Sequence, residues 1–270
     1  MERALGLMAG AGVLPGRAAA EARRQGWRVV AFAFDDAVGL AEQADLVIPS
    51  RLDAIQAVLV ELMGQGVSAV LFAGKFWKQR IFEHRDRAVD EAAQSLVSGG
   101  FSDGALAEMA VAALTGLGIE VLDQRPFLSP WMAEEGVLTR RAPTDAEWTE
   151  IREGLVQARR LAEFGIGQTI VRARGAIVAV EAIEGTDAAI RRGTGLTGPG
   201  TVVVKAAAPT QDYRFDVPAV GPATVTAMAE GGAVALGIDG GKIMLVDREE
   251  TLRLADAAGI AVVSVGEAAG

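Results

Sequence analysis

The 270-residue chain has no cysteine, which excludes disulfide scaffolds, cysteine-ligated zinc and thiol catalysis and fits a cytosolic protein. It has one histidine, His84, so no second histidine is there to share a metal. His84 lies in FWKQRIFEHR (76–85), where aromatic and basic residues mix, and a surface role suits it better than catalysis. No uninterrupted apolar run approaches the ~18 residues of a membrane-spanning helix. No signal peptide is expected either, because MERALGLMAGAG reads as a first strand and its turn. Positive charge is also short: 26 Lys and Arg face 35 Asp and Glu, for a net charge of −9. Such a surface repels polyanions and argues against general nucleic-acid binding, while leaving room for one local basic pocket for a phosphate ester.

Half of the residues are hydrophobic and 23% are charged. The chain is longer than one modest core needs, so two domains are expected. Many of the 33 glycines sit at the ends of apolar runs, as in an α/β protein with tight turns. In the first half, ALGLMAG (4–10), WRVVAFAF (27–34), LVIP (46–49), SAVLFAGK (68–75) and IEVLD (119–123) read as strands. LPGRAAAEARRQG (14–26), DAIQAVLVELMGQG (53–66) and the segments at about 86–98 and 104–117 read as helices. This alternation predicts a parallel sheet covered on both faces, a Rossmann-like domain over 1–135.

RPFLSPW (125–131) breaks the pattern. Thr144 followed by Glu147 predicts a capping box at the start of a long helix within 139–165. Residues 136–270 then read as a C-terminal mixed-sheet α/β domain. Two strands flank a turn at Gly175 (168–185), TVVVKAAA (201–208) is another strand, and 217–232 pass through a turn into a helix. AVALGIDGGKIMLVD (233–247) is expected to be a hairpin turning at Asp239-Gly240. A helix (248–259) and a last strand (260–266) follow. There is no internal repeat and no low-complexity tract.

Four places carry candidate chemistry. The first strand ends in Gly10-Ala11-Gly12 just before a helix start, where backbone amides can approach a phosphate. The spacing G-x-G-x-x-x-G departs from the dinucleotide fingerprint, although Asp35 ends the second strand where a ribose-binding acid belongs. Nucleotide contact is expected in this domain and NAD is not; an ordinary tight turn is the alternative. Lys75, in AGK, follows the central strand and either meets a phosphate or caps the strand. In VEAIEGTDAAIRR (180–192), Glu181 ends a strand and Glu184-Gly185-Thr186-Asp187 turns into a helix. Amides there would face a phosphate, and the acids would repel it unless a divalent cation lay between, for which Mg²⁺ is suited. The alternative is a capped helix start with solvated acids. In QDYRFD (211–216), an extended strand would align Asp212, Arg214 and Asp216 on one edge, downstream of Lys205. That edge reads as a phosphate clamp or as an exposed ion pair worth under ~1 kcal/mol. The aromatic and apolar residues Phe76, Trp77, Phe101, Phe127, Leu128, Trp131 and Met132 line an acyl-chain channel or, more simply, belong to the core.

In order along nearly the whole chain, GLMAGAGVLP, the AGK turn, TRRAPTDAE, GIGQTIV, AVEAIEGTDAAIRR, VVKAAAPTQDYRFDVPAVG and DGGKIMLVDRE resemble the LpxI family, the UDP-2,3-diacylglucosamine pyrophosphatases of lipid A synthesis. EAIEGTD and QDYRFDVPAVG are the most specific parts. The resemblance implies a cytosolic, Mg²⁺-dependent homodimer that meets its lipid substrate transiently at the inner-membrane surface. Its ligand would lie between a Rossmann-like N-terminal domain and a C-terminal catalytic α/β domain. The reaction implied is hydrolysis of UDP-2,3-diacylglucosamine to UMP and 2,3-diacylglucosamine 1-phosphate. On this reading Glu181, Asp212 and Asp216 hold the metal. Glu184, Thr186, Asp187, Lys205, Gln211 and Arg214 serve catalysis. Gly10, Gly12, Lys75, Gln168 and Gly185 contact substrate. One position departs from the pattern: where the family has an acid after the VPAVG turn, this chain has Ala223, in GPAT, which implies impaired turnover with binding better preserved. Two other classes stay open: a non-catalytic nucleotide-lipid binder, which Ala223 favours, and an NAD-linked oxidoreductase, which the glycine spacing disfavours.

Overall fold

The computed structural model describes residues 3–76 and 103–266. His84, Trp77, Phe101 and the helix expected at 86–98 lie outside the described residues. The chain forms two compact units. One comprises Met1–Leu128 with Asp212–Phe215, and the other Ser129–Gln211 with Asp216–Gly270.

The first unit runs β1 (Ala4–Ala9), α1 (Leu14–Arg24), β2 (Arg28–Ala33), α2 (Leu40–Gln43), β3 (Leu46–Pro49), α3 (Ile55–Gly64), β4 (Val67–Ala73), α4 (Asp103–Gly116), β5 (Glu120–Val121) and α5 (Arg125–Leu128). Its five strands pair in parallel in the order β3-β2-β1-β4-β5. Every residue of β1 is buried, as a strand covered on both faces must be, which is why it reads as a continuous apolar run. Leu62 of α3 and Leu114 of α4 join Met8, Val30, Phe32 and Val70 in one core. Chain order reverses between β1 and β4, the kind of switch point at which α/β sheets open a crevice beyond the strand ends.

The second unit runs β6 (Gly136–Val137), α6 (Asp145–Glu163), β7 (Thr169–Ala173), β8 (Ala176–Val180), α7 (Thr186–Thr197), β9 (Val202–Lys205), β10 (Ala219–Val220), α8 (Pro222–Glu230), β11 (Ala235–Asp239), β12 (Met244–Leu245), α9 (Arg248–Ala257) and β13 (Ala261–Val265). Six strands form a mixed sheet, β6-β13-β11-β9-β7-β8. Its centre, β13-β11-β9, is parallel, and β6, β7 and β8 run antiparallel to their neighbours. The capping box forms as expected: Thr144 accepts from the Glu147 amide at 3.3 Å, and Glu147 from the Thr144 amide at 2.8 Å. The helix it starts, α6, covers one face, with Ile151 and Leu155 packed on Val202, Val204 and Ala235. On the other face, Ile190 of α7 and Val225 and Met228 of α8 pack on Val171, Val203 and Leu236. Alternation along β9 therefore sends Val202 and Val204 toward α6, and Val203 and Lys205 toward α7 and α8.

Two local expectations are corrected. Residues 233–247 do not form a hairpin: β11 lies inside the six-stranded sheet, while β12 pairs in parallel with β10. Asp239-Gly240 does make a sharp turn, but the turn carries the chain out of the sheet. Gly240 is needed there for close approach, since a Cβ would sit 2.8 Å from the Glu135 side chain and 3.0 Å from the Gly266 nitrogen. Residues 211–216 do not form a strand either. Residues 213–215 are a turn, and Asp212–Phe215 belong to the first unit. There Phe215 packs on Phe72 with ring centroids 5.0 Å apart, and the Arg125 guanidinium lies 4.2 Å over the Tyr213 ring. The aromatic residues that resembled part of a strand are anchors for an excursion of the chain. Phe127 and Leu128, candidates for an acyl channel, are buried in the core of the first unit. Among the described residues, no helix is long and apolar enough to cross a membrane.

Candidate active site

The β7–β8 hairpin delivers Glu181 to the start of α7, and β9 delivers Lys205 to the same place. Lys205 is only 5% exposed. Its Nζ donates to Thr186 Oγ1 at 2.7 Å, and that hydroxyl donates onward to Glu181 Oε1 at 2.9 Å. A cation, a hydroxyl and a carboxylate thus form one directed chain at the first helical residue of α7. Gly185 is the N-cap, with φ 84° and no side chain to close the helix end. Two residues into α7, Asp187 Oδ1 accepts from Thr224 Oγ1 at 3.0 Å. Thr224 belongs to the first turn of α8, whose N-cap, Gly221, likewise provides no side-chain hydrogen bond. The hydrogen bond joins the N-terminal turns of α7 and α8. Helix N-termini with amides unclaimed by a capping side chain attract negative charge. Ala223 is exposed beside Thr224, and α8 has no acid in its first turn.

Gln168, Gln211 and Asp216 make another group. The Gln168 amide donates to Asp216 Oδ2 at 3.0 Å and to Gln211 Oε1 at 3.3 Å, while the Gln211 amide donates to Asp216 Oδ2 and to its backbone carbonyl at 3.1 Å each. These bonds close the second unit where the chain leaves it after Gln211 and rejoins it at Asp216. Asp212 and Arg214 are not part of that group. Arg214 Nε donates to Asp212 Oδ1 at 2.9 Å, and Nη2 to Oδ2 at 2.7 Å, a two-pronged pair that holds the Asp212 carboxyl below its ordinary range. The expected edge of Asp212, Arg214 and Asp216 is therefore corrected, because the turn gives Asp212 and Arg214 to one unit and Asp216 to the other.

Glu184 turns toward its own loop. It accepts from Arg192 at 2.6 Å and from the Ala182 amide at 3.1 Å, and the Arg192 bond lowers its pKa.

The glycine-rich turn of the first unit is also spent. The amides of Gly10, Ala11 and Gly12 donate to the carbonyls of Ala73, Lys75 and Asp36 at 2.9, 2.9 and 3.1 Å, and the Lys75 amide returns a bond to Ala11 at 2.9 Å. A Cβ at Gly10 would lie 2.7 Å from the Lys75 carbonyl oxygen. The glycine serves the close crossing of two backbone segments, and the three amides expected to face a phosphate instead hold neighbouring carbonyls. The Lys75 side chain is on the exposed surface.

Two features gave no motif signal. Asp239, 1% exposed, ends β11 and is gripped by Arg159 of α6, with Nε 2.9 Å from Oδ1. Its Oδ2 accepts from the Ala207 amide at 3.2 Å, in the loop after Lys205. Thr169, fully buried, stands opposite Lys205 across β7–β9. A buried Asp at a strand end is visible in sequence only as a turn former. A Thr in a strand resembles any β-branched residue.

Among the described residues, no three acidic or histidine side chains gather as a metal cage, so Glu181, Asp212 and Asp216 do not form one ligand set. Mg²⁺ needs less, since it is commonly held by one or two carboxylates together with waters and substrate phosphates. The chemistry of the acids sorts them. Glu184 and Asp212 are each neutralised by an arginine. Asp187 is bound by a hydroxyl and Asp216 by amides, neither by an arginine among the described residues. By their chemistry alone, Asp187 and Asp216 are the acids suited to a magnesium ion.

Two family models match the chain, one after the other. Residues 4–131 match the LpxI N-terminal domain, and residues 134–263 match the LpxI C-terminal domain. The chain is 28% identical to the UDP-2,3-diacylglucosamine pyrophosphatase LpxI of Caulobacter vibrioides, over 97% of this chain and 98% of that protein. With both domains matched in order and nearly end to end, the chain belongs to the LpxI family.

Proposed function

We propose that this chain hydrolyses the diphosphate of UDP-2,3-diacylglucosamine to UMP and 2,3-diacylglucosamine 1-phosphate, within lipid A synthesis. The observation that carries the reading is the meeting of buried Lys205, through Thr186, with Glu181, beside the joined N-termini of α7 and α8. A diphosphate seated there finds one fixed ammonium and two sets of helix-end amides. A preorganised cation in a poorly solvated place stabilises developing phosphate charge far better than one in bulk water. Thr186 holds the ammonium in position before substrate arrives, so no reorganisation is needed during reaction. Gln168 and Gln211, locked by Asp216, keep the adjoining loop in register. Asp187 and Asp216 would hold Mg²⁺, which when bound neutralises charge on the diphosphate. In the reaction itself a water oxygen attacks phosphorus, the anhydride P–O bond breaks, and the departing phosphate takes the electron pair. A carboxylate of the cluster accepts the water's proton.

Ala223 gives the first turn of α8 a methyl where the family resemblance implies a carboxylate to orient the attacking water, so slow turnover is the expectation. Purified protein is assayed for UMP release from UDP-2,3-diacylglucosamine with Mg²⁺ and after chelation, as the present chain and as Ala223→Asp. Slow release that Ala223→Asp raises at least ~10-fold, and that chelation abolishes, supports the reading. Binding without release in both forms would favour the alternative reading, a non-catalytic carrier of the nucleotide-lipid, which the exposed methyl at 223 supports. Contact with the inner-membrane surface follows from the same proposal, since the substrate carries two acyl chains; a homodimer is proposed from the family resemblance alone.

A further inference from the structure

Glu181, Thr169 and Lys205 occupy one row across three chain segments. Thr169 is paired with Lys205 in the antiparallel β7–β9 register, and the Glu181 amide donates to the Thr169 carbonyl at 2.8 Å. Alternation puts all three side chains on the face that carries Val171, Ala179 and Val203, toward α7. Two of the three end in oxygens that are buried without a hydrogen-bond partner among the described residues: Thr169 Oγ1 and Glu181 Oε2. Thr201 Oγ1, at the other end of β9, is also unpartnered among the described residues, and a lone hydroxyl of that kind marks no site. What carries weight is two such oxygens at one register level on adjacent segments, where Cβ atoms stand ~5 Å apart, one of them an obligate acceptor. Buried polar atoms are rarely left so, because each costs its full desolvation.

The chemistry selects the occupant. A phosphate oxygen offers Glu181 Oε2 no proton. A divalent cation would share the Glu181–Thr186–Lys205 chain with an ammonium and be repelled by it. Water brings two donors and two acceptors and is the usual filler of such places. We propose that Thr169 and Glu181 together hold one water molecule, and that Thr169 thereby acts as a positioning residue for the Glu181–Thr186–Lys205 chain. The latter half of this statement rests on the hydrolytic reading of the same site; the former does not.

Thr169→Val keeps the side chain's shape and removes only the hydroxyl, while Thr169→Ser keeps the hydroxyl. Thermal unfolding, UMP release from UDP-2,3-diacylglucosamine and Mn²⁺ binding are measured on the full chain. The Val variant is expected to lower Tm by about 2–4 °C, and to lower kcat about tenfold with KM within about twofold. Ser should restore kcat, and Mn²⁺ affinity should be unchanged in both. A Tm raised or unmoved by Val would mean dry, idle oxygens and would overturn the water. Weakened Mn²⁺ binding in Val would put a metal there and overturn it too. A lowered Tm with unaltered kcat, or a kcat loss that Ser does not repair, would overturn the positioning role. If the present chain and Ala223→Asp both fail to hydrolyse the substrate, the functional reading falls by itself, and the sign of the Tm change still decides the water.

Discussion

Two turns, one after β1 in the first unit and one before α7 in the other unit, are alike in sequence. Each is a glycine-bearing link from the end of a strand to the start of a helix, and each invites a phosphate. They differ in where their polar groups go. At Gly10–Gly12 three consecutive amides are satisfied by carbonyls of neighbouring chain, and the glycine is there because two backbones cross. At Gly185 the helix start has no side-chain cap, a buried ammonium is aimed at it, and a carboxylate oxygen nearby has no partner among the described residues. A glycine turn marks a ligand site when its surroundings leave polar groups unsatisfied, and marks chain packing when they do not.

The largest effects should separate the two turns. Replacing Lys205 by Met removes the fixed cation while keeping most of its length, and should lower kcat by about 10²–10³ with a small change in KM. A loss confined to KM would show that Lys205 binds the ground state only. In the first unit, Gly10→Ala forces a Cβ against the Lys75 carbonyl, 2.7 Å away. It should cost about 1–3 kcal/mol of stability, read by denaturant unfolding, with kcat of the folded fraction intact. Should Gly10→Ala instead raise KM at unchanged stability, the β1 turn does meet substrate and the contrast collapses.

Much of this was legible in the chain. Continuous apolar runs alternating with amphipathic segments gave the parallel sheet. Thr144 and Glu147 announced α6, and Gly175 announced the β7–β8 hairpin. Local chemistry was enough in each case. What failed was partner choice. Asp239-Gly240 specifies a sharp turn, but not that β12 will leave to pair with β10. The alternation in QDYRFD resembled a strand edge because the sequence does not reveal that Phe215 finds Phe72 and Tyr213 finds Arg125, so that Asp212–Phe215 join the first unit. Lys205, Thr186 and Glu181 were each recognisable as polar residues at strand or helix ends, whereas their hydrogen-bonded order depends on which face alternation assigns them. Thr169 had no signal, since an unpaired hydroxyl is a property of its surroundings.

A smaller effect sharpens the contrast inside the second unit. Glu184 lies in the same loop as Glu181, but its carboxylate is held by Arg192 and by the Ala182 amide. Glu184→Gln should therefore change kcat by no more than about two- to threefold, whereas Glu181→Gln, which alters the acceptor for Thr186, should change it much more. Equal losses in both would mean that Glu184 swings away from Arg192 to meet substrate.

The smallest effect concerns the first unit's helix α1. Glu21 accepts from Arg24 at 2.6 and 2.8 Å and from Gln25 at 2.9 Å. Hydrogen bonding to Arg24, then to Gln25, lowers its pKa to about 2. The folded form thus binds the proton more weakly than the unfolded chain, whose glutamate titrates near 4.5. The contribution to stability is therefore complete above pH 4.5 and is lost as pH falls toward 2. In a urea-unfolding series across that window, Glu21→Gln should flatten the acid limb for the first unit and leave UMP release at neutral pH unchanged. Both expectations come from one cause. The Glu21 charge is already answered within its own helix, as the Gly10–Gly12 amides are answered by their neighbours, and a group so answered has nothing left to offer a substrate.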